Sequence, residues 1–300
     1  MSADTVAIGV HPNNSTFFVL RRSGVLEALL ADLDADVRWV DHPSGGEVVG
    51  LLADGTIDVG GTGATPPLIA QSQGQDVVYL AVSAPRPTYG ELLVLEESSI
   101  ASVAELAGCR VGLSEGSWQT SFLALALDDV GLGYGDVERV SAERFEGKRA
   151  FLDGDVDAWI SGEPQHSELL RTTAVRKLVD SEATYSNRSL WFGRRSVLGD
   201  RPEVAEAIVR ALQQTDAWIA EHPREAAELF VADVPDTEPL EAWEDALSRR
   251  AWGPRAVDEA FVVEQQRVAD LLVAADYLPA QIRVADAVVA PALSLAGGDA

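Results

Sequence analysis

The chain has 300 residues, 47% of them hydrophobic, which is enough for two lobes with separate apolar cores. Its 23 basic and 48 acidic residues give a net charge of −25, whereas nucleic-acid binding needs a basic surface, so we expect no nucleic-acid partner. Its apolar runs are shorter than the ~18–20 residues of a membrane span, so we expect none. The single cysteine, Cys109, rules out a disulfide within the chain.

The first part of the chain alternates between strands and helices. β-branched runs predict strands at Thr5–Gly9, Val37–Val40, Ile57–Gly60 and Val77–Val82. Helical spacing of apolar residues lies between them, at Phe17–Arg22 and Val25–Leu33 (broken at Ser23-Gly24), at Glu47–Ala53, and from Pro66 onward. This order predicts a parallel, doubly wound sheet.

A second αβ set follows a crossover at Ala84–Thr88. We expect strands at Glu91–Leu95, Arg110–Leu113, Val137–Val140, Asp157–Ile160 and Val175–Val179, with helices at Ser102–Leu106, Trp118–Val130 and Arg144–Leu152 and after Pro164. Ser189–Arg194 reads as an extended segment that crosses back. Helices are predicted at Val204–Ala220, Pro223–Val231, Leu240–Arg250, Val257–Ala275 and Ile282–Leu295, packed on the first lobe, before a short tail at Gly297–Ala300.

The glycine-rich loop after the third strand is the most informative stretch. Gly60-Gly61-Thr62-Gly63 leads into Thr65-Pro66-Pro67, where we expect Thr65 to cap a helix and Pro66 to suit its first turn. A helix start offers unpaired N–H groups and a partial positive charge, which favour an anion. The loops His11–Ser15 and His42–Gly46 leave neighbouring strand ends, where ligands collect in such sheets.

Other polar and aromatic residues are weaker candidates. His11, His42 and His166 lie in loops predicted to face the cleft, beside Glu163, but no HxH or HxxxH spacing occurs, so we expect no metal and no cofactor. Trp118 follows Ser117 at a helix start and is expected to line a pocket. Arg86 at the hinge and the pair Arg249-Arg250 could reach an anion, but for each of them we favour a position on solvated surface.

Several stretches, taken together, resemble the periplasmic-binding-protein fold of ABC importers, in its nitrate, taurine and aliphatic-sulfonate branch. They are 54–60 (DGTIDVG), Thr62-Gly63 with Pro66-Pro67, 103–112 (VAELAGCRVG), Glu115-Gly116-Ser117 and 154–159 (GDVDAW). The resemblance covers nearly the whole chain.

The resemblance implies an α/β protein with a type II two-lobed fold, each lobe a doubly wound sheet, and an added C-terminal helical segment. Lobe one would hold residues 1–86 and 194–300, lobe two residues 87–193, with hinges near Pro85–Thr88 and Leu190–Arg194. A small anionic organic ligand, sulfonate-like or a related acid, would be clamped between the lobes. The expected ligand-binding residues are His11, Asn13, Asn14, Ser15, His42, Gly61, Thr62, Gly63, Thr65, Ser117, Trp118, Gln119, Glu163 and Trp191.

The resemblance further implies a monomer that hands its ligand to an ABC permease. Two departures from the branch, at Ala64 and at 162–166 (GEPQH), suggest that the organic end of the ligand differs. No secretory signal precedes the first strand, so the chain is expected to be cytoplasmic if Met1 is its native start and extracytoplasmic if a leader was removed.

An enzyme on the same fold is the alternative. Cytoplasmic relatives include desulfinases and dehydratases that act on small or aromatic acids, and here His11 with Glu163 or His166 would be the acid and base. The desulfinase cysteine belongs where Asn13-Asn14-Ser15 stands, its arginine near Gly60 and its histidine near Val49, and none is matched.

Overall fold

The computed structural model describes residues 4–141 and 145–288. The strands are β1 (Asp4–Val10), β2 (Ala35–Asp41), β3 (Val59–Thr62), β4 (Val77–Ser83), β5 (Leu92–Leu95), β6 (Arg110–Leu113), β7 (Glu138–Ser141), β8 (Ala158–Ile160), β9 (Val175–Lys177), β10 (Leu190–Arg194) and β11 (Pro254–Arg255). The helices are α1 (Ser15–Ser23), α2 (Val25–Ala31), α3 (Val48–Ala53), α4 (Thr65–Ser72), α5 (Trp118–Asp128), α6 (Phe145–Leu152), α7 (Gln165–Thr172), α8 (Ser181–Thr184), α9 (Arg195–Leu198), α10 (Pro202–Glu221), α11 (Pro223–Asp233), α12 (Leu240–Ser248) and α13 (Glu259–Ala274). Short 3₁₀ turns lie at Gly45–Glu47, Pro87–Tyr89, Val103–Leu106 and Val284–Ala287.

The strands form two separate sheets, which confirms the predicted two-lobed α/β fold. The first sheet has the order β11-β4-β10-β3-β1-β2, and the second has the order β7-β6-β8-β5-β9. Both sheets are mixed rather than parallel: β10 is antiparallel to β3 and β4, and β5 is antiparallel to β8 and β9. The parallel order predicted for the first part of the chain holds for β1 with β2 and β3. The antiparallel strands β5 and β10, each the first strand after a passage of the chain between the sheets, were not predicted.

The strand β10 also corrects the position of the second hinge. Leu190, Trp191 and Phe192 are fully buried, which is typical of a central strand covered on both faces. Because β10 lies between β3 and β4 in the first sheet, the chain crosses back before Leu190 and not at Leu190–Arg194. The division into residues 1–86 with 194–300 and 87–193 itself stays a prediction.

Local capping sets where several helices begin. The Asn14 side chain accepts a hydrogen bond from the Phe17 amide at 3.0 Å and caps α1. Ser117 and Asp258 cap α5 and α13 in the same way, with acceptor distances of 3.2 and 2.7 Å. Gly24, with φ of 70°, separates α1 from α2, as the sequence predicts.

The C-terminal helices contact both lobes. As predicted, α10 packs on α1 and α2 beside the first sheet, but α12 contacts α7 and α13 contacts α5, which are helices of the second sheet. The predicted helix Ile282–Leu295 is described only to residue 288 and shows a 3₁₀ turn there. Arg144, the predicted start of α6, and the tail Gly297–Ala300 lie outside the described residues. None of the described helices combines the length and apolar character that a bilayer crossing requires.

The glycines of β3 allow close packing of the surrounding chain. A Cβ on Gly61 would lie 2.3 Å from the side-chain nitrogen Nδ2 of Asn14 and 2.9 Å from Cδ1 of Trp191. We therefore expect Gly61→Ala to lower the free energy of unfolding by about 1–3 kcal/mol, measured by urea denaturation. The control is Gly50→Ala in α3, where a Cβ meets nothing within 4 Å and should stabilise by about 0.5–1 kcal/mol. Equal effects of the two substitutions would contradict this packing role.

Candidate functional site

A cleft of about 120 Å³ lies between the two sheets. Loops at the carboxyl ends of β1, β2 and β3 line one side, and the start of α5 and the loop before α7 line the other. Eight of the residues expected from the sequence face it, namely His11, Asn13, Thr62, Gly63, Ser117, Trp118, Gln119 and Glu163. The topology thus brings together residues that lie up to about 150 positions apart.

The starts of α4 and α5 are in direct contact across the cleft. The Thr65 hydroxyl donates to the Ser117 carbonyl at 2.6 Å. Because its one proton is used there, Thr65 accepts from the Ser121 hydroxyl, also at 2.6 Å. A Cβ on Gly63 would lie 2.6 Å from Cβ of Trp118, so only glycine permits this approach. The two lobes are therefore closed at this point.

The polar groups at these helix starts are largely used within the protein. The Ser117 hydroxyl donates to the Ser114 carbonyl at 2.6 Å, and that of Thr62 donates to the Gly63 carbonyl at 2.7 Å. Pro66 and Pro67 have no N–H in the first turn of α4. The prediction that Thr65 caps α4 is wrong: the cap position is Ala64, and the Thr65 hydroxyl binds α5 instead.

The indole of Trp118 forms a wall of the cleft. A Cβ on Gly90 would lie 2.7 Å from its Cη2, and one on Gly162 would lie 3.4 Å from its Cζ2. Behind it, the ring of Phe122 packs with a centroid distance of 6.2 Å. The indole thus presents an apolar face to whatever occupies the cleft.

The other predicted ligand-binding residues do not line the cleft and instead support its walls. Asn14 caps α1, and Ser15 is buried in its first turn. The Gly61 carbonyl accepts from Nε2 of His11 at 2.8 Å, which fixes that ring. The six residues concerned are Asn14, Ser15, His42, Gly61, Thr65 and Trp191.

His42 and Trp191 show why sequence position was misleading. Nδ1 of His42 donates to the Ser44 carbonyl at 2.8 Å, and its ring packs behind His11 with centroids 5.1 Å apart. Burial lowers the pKa of His42, which favours the neutral ring. Trp191 is fully buried in β10 and packs edge-on against Phe17. A side chain in or just after a strand that borders the cleft can therefore point into the protein interior rather than into the cleft.

Glu163 and His166, the candidate acid–base residues, are each bound to neighbours. The two carboxylate oxygens of Glu163 bind Arg249 at 2.6 Å and the Ser167 amide at 3.0 Å. Burial raises the pKa of this carboxyl. Nδ1 of His166 lies 2.9 Å from the Ser161 hydroxyl, and His166 does not line the cleft. Both side chains therefore hold neighbouring parts of the protein together through these contacts.

Arg86 lines the cleft, and the prediction that it is solvated is wrong. Its exposed fraction is 6% and its Nε donates to the Asn187 carbonyl at 2.8 Å. The guanidinium lies over the ring of Tyr89, 4.2 Å from its centroid. Burial, and after it the charge of Arg250, lower the pKa of Arg86 to about 10, so it stays protonated at neutral pH. Its place between Pro85 and Pro87, at the crossover, was the available signal.

The neighbouring arginines divide between burial and surface. Arg250 is buried, with its guanidinium 6.0 Å from the Tyr89 centroid and 4.3 Å from that of Trp252. Its predicted solvated position is therefore also wrong. The side chain of Arg249 is about half exposed, but it forms an ion pair with Glu163.

The segment 237–249, which contains α12, closes the remaining side of the cleft and is held there by ion pairs. Thr237, Glu238 and Trp243 line it, although no sequence pattern marks them as functional. Two ion pairs besides Glu163–Arg249 join this region to the second lobe: Lys148–Glu238 at 2.6 Å and Arg171–Asp245 at 2.9 Å. The C-terminal segment therefore forms part of the site.

Two α/β lobes around a ligand-sized cleft define the class of two-lobed binding proteins. Residues 31–226 match the NMT1/THI5-like family, and the chain belongs to this family.

Three relatives show the similarity in more detail. A protein of Escherichia coli K12, provisionally named an aliphatic sulfonates-binding protein, is 32% identical over 184 residues. That match covers 61% of this chain and 58% of the relative's length. The crystal structure of the periplasmic aliphatic sulphonate binding protein of E. coli superimposes with a TM-score of 0.85 at 25% identity, covering 99% of this chain and 95% of that one. The alkanesulfonate-binding protein of Xanthomonas axonopodis pv. citri bound to MOPS gives 0.83 at 26% identity, with coverage of 96% and 99%.

The predicted desulfinase-like alternative has weaker support. The 2'-hydroxybiphenyl-2-sulfinate desulfinase of Rhodococcus erythropolis is 25% identical over 77% of this chain and 76% of its own. A solved structure in complex with biphenyl-2-sulfinic acid has a TM-score of 0.65 at 19% identity, which shows the shared fold alone. The comparisons therefore favour the sulfonate-binding branch.

The buried imidazole of His166 leads to a pH prediction. Burial, then the charges of Arg249 and Lys177, lower its pKa to about 4. An unfolded histidine titrates near 6.5, so between about pH 6.5 and 4 the unfolded chain binds more protons, and the free energy of unfolding falls as the pH drops. Between pH 7.5 and 4.0, the free energy of unfolding of the His166→Gln variant should fall by about 3 kcal/mol less than that of the wild type, measured by urea unfolding. Identical pH dependence of wild type and variant would rule this out.

Proposed function

We propose that the chain binds a small organic sulfonate in the cleft between its two sheets and delivers it to an ABC permease. The observation that carries this proposal is the closed, ligand-sized cleft itself, in a chain of which 96–99% superimposes on sulfonate-binding proteins. The lining combines an apolar indole with polar loops, as small-ligand sites do.

The size of the cleft restricts the ligand. Its volume of about 120 Å³ is below the ~150 Å³ of an engineered cavity that binds benzene. A short alkanesulfonate such as ethanesulfonate or taurine suits this space in the closed form, whereas a two-ring sulfinate does not. The Trp118 wall would pack against the alkyl part, and the polar loops would surround the charged group.

Closure between the lobes would couple to binding. The ligand touches both lobes only when Gly63 and Trp118 approach closely, so it stabilises the closed arrangement through its contacts with each. A monomer is sufficient for this mechanism, since both walls come from one chain.

The test is calorimetric titration of the full chain with ethanesulfonate and taurine, with biphenyl-2-sulfinate as the large comparison ligand. We expect saturable binding of at least one short sulfonate and none of the two-ring compound. The melting temperature should rise as well, because a ligand at a hundred times its dissociation constant adds about 2.7 kcal/mol. A folded protein that binds no sulfonate would refute the proposal.

Gly63→Ala tests the closed form directly. The added Cβ would lie 2.6 Å from Cβ of Trp118 on the opposite lobe, so it should hinder closure. We expect the affinity for the sulfonate to fall at least tenfold in calorimetric titration. Gly50→Ala, with open space around its Cβ, is the matched control and should bind as wild type does. Unchanged affinity in Gly63→Ala would mean that this contact is not needed for binding.

A further inference from the structure

We propose that Arg86, supported by Arg250 across the ring of Tyr89, is the charge partner of the ligand's sulfonate group. This inference rests on the proposed function and assigns the anion to a buried guanidinium beside the crossover of the chain, rather than to the starts of α4 and α5.

Arg86 has unused hydrogen-bonding capacity inside the site. It lines the cleft and is more than nine-tenths buried. Nε is held by the Asn187 carbonyl, but Nη1 is buried without a hydrogen-bond partner in the described part of the chain. A guanidinium donates five hydrogen bonds in a fixed fork that suits the oxygens of a sulfonate.

No carboxylate within residues 4–141 and 145–288 forms an ion pair with Arg86. Arg188, on the segment that returns to the first sheet, is buried to a similar extent. Unlike Arg86, it forms an ion pair, with Asp258 at 2.9 Å. A buried charge without a counter-ion is destabilising. An anionic ligand would supply the missing charge and recover that cost on binding.

Arg250 adds positive potential but has a nearby carboxylate. Its charge raises the free energy of the protonated Arg86 in the unliganded protein. Asp216, buried and hydrogen-bonded to Thr16 at 2.7 Å and to the Gly253 amide at 3.0 Å, in turn interacts with the charge of Arg250. Arg86, and not Arg250, lines the cleft, and its single positive charge matches a monoanion such as a sulfonate.

The helix starts have less capacity for the anion. The hydroxyls of Thr62 and Ser117 donate to carbonyl groups within the protein, and α4 has prolines at its second and third residues. Arg86 is the one cation among the described residues that line the cleft.

The experiment compares Arg86→Gln with Arg188→Gln in the full chain, using calorimetric titration with the short sulfonate that the wild type binds. Arg86→Gln should weaken binding at least a hundredfold while the melting temperature of the unliganded protein stays the same or rises. Arg188→Gln, which breaks the ion pair between this buried guanidinium and the half-exposed Asp258, should lower that melting temperature and leave affinity within threefold of wild type. Arg86→Lys keeps the charge without the fork and should lose about tenfold.

The outcomes separate the two proposals. If the wild type binds a sulfonate and Arg86→Gln binds it within threefold, this inference is overturned and the proposed function stands. If the wild type binds no sulfonate, the proposed function fails and this inference fails with it. Should Arg86→Gln not fold, Arg86→Lys decides, and affinity within threefold of wild type overturns the inference.

Discussion

The contact between the starts of α4 and α5 determines the shape of the site. One hydroxyl, that of Thr65, joins the two helices through Ser117 and Ser121, and Gly63 allows the backbone of Trp118 to lie directly against it. These helices belong to different sheets, so a single polar contact at a glycine sets how closely the lobes approach. The volume left between them follows from that distance.

The two lobes were expected from the length of the chain and from the family resemblance, and the alternating strands and helices from periodicities that are local. The sequence did not predict that β10 would insert between β3 and β4, since strand order depends on pairing between distant residues. In the site, loops that leave strand ends were placed correctly around His11 and Thr62, but the orientation of single side chains was not. His42 follows β2 and packs behind His11, and Trp191 lies within β10 and packs against Phe17.

The glycine-rich loop does line the cleft, but its glycines are needed for a different physical reason. Glycines in such a loop can bring the backbone close to a ligand. Instead, Gly60 accommodates Val48, Gly61 accommodates Asn14, and Gly63 accommodates Trp118. The same absence of a side chain serves close packing of protein on protein, and this shapes the cleft wall. Composition alone does not distinguish these two uses of glycine.

Charge explains why the sequence favoured a solvated position for Arg86 over contact with an anion. In a chain with a net charge of −25, an arginine is expected to find a carboxylate at the surface, and most arginines here do. Proline on either side of Arg86 fixes the crossover, and the fold buries the side chain against Tyr89, with Nε already bound to Asn187. In that low-dielectric position the distant negative charges are poorly placed to neutralise it. A strongly acidic protein can therefore keep one local positive site for an anion, because burial excludes its own carboxylates more effectively than it excludes a small ligand.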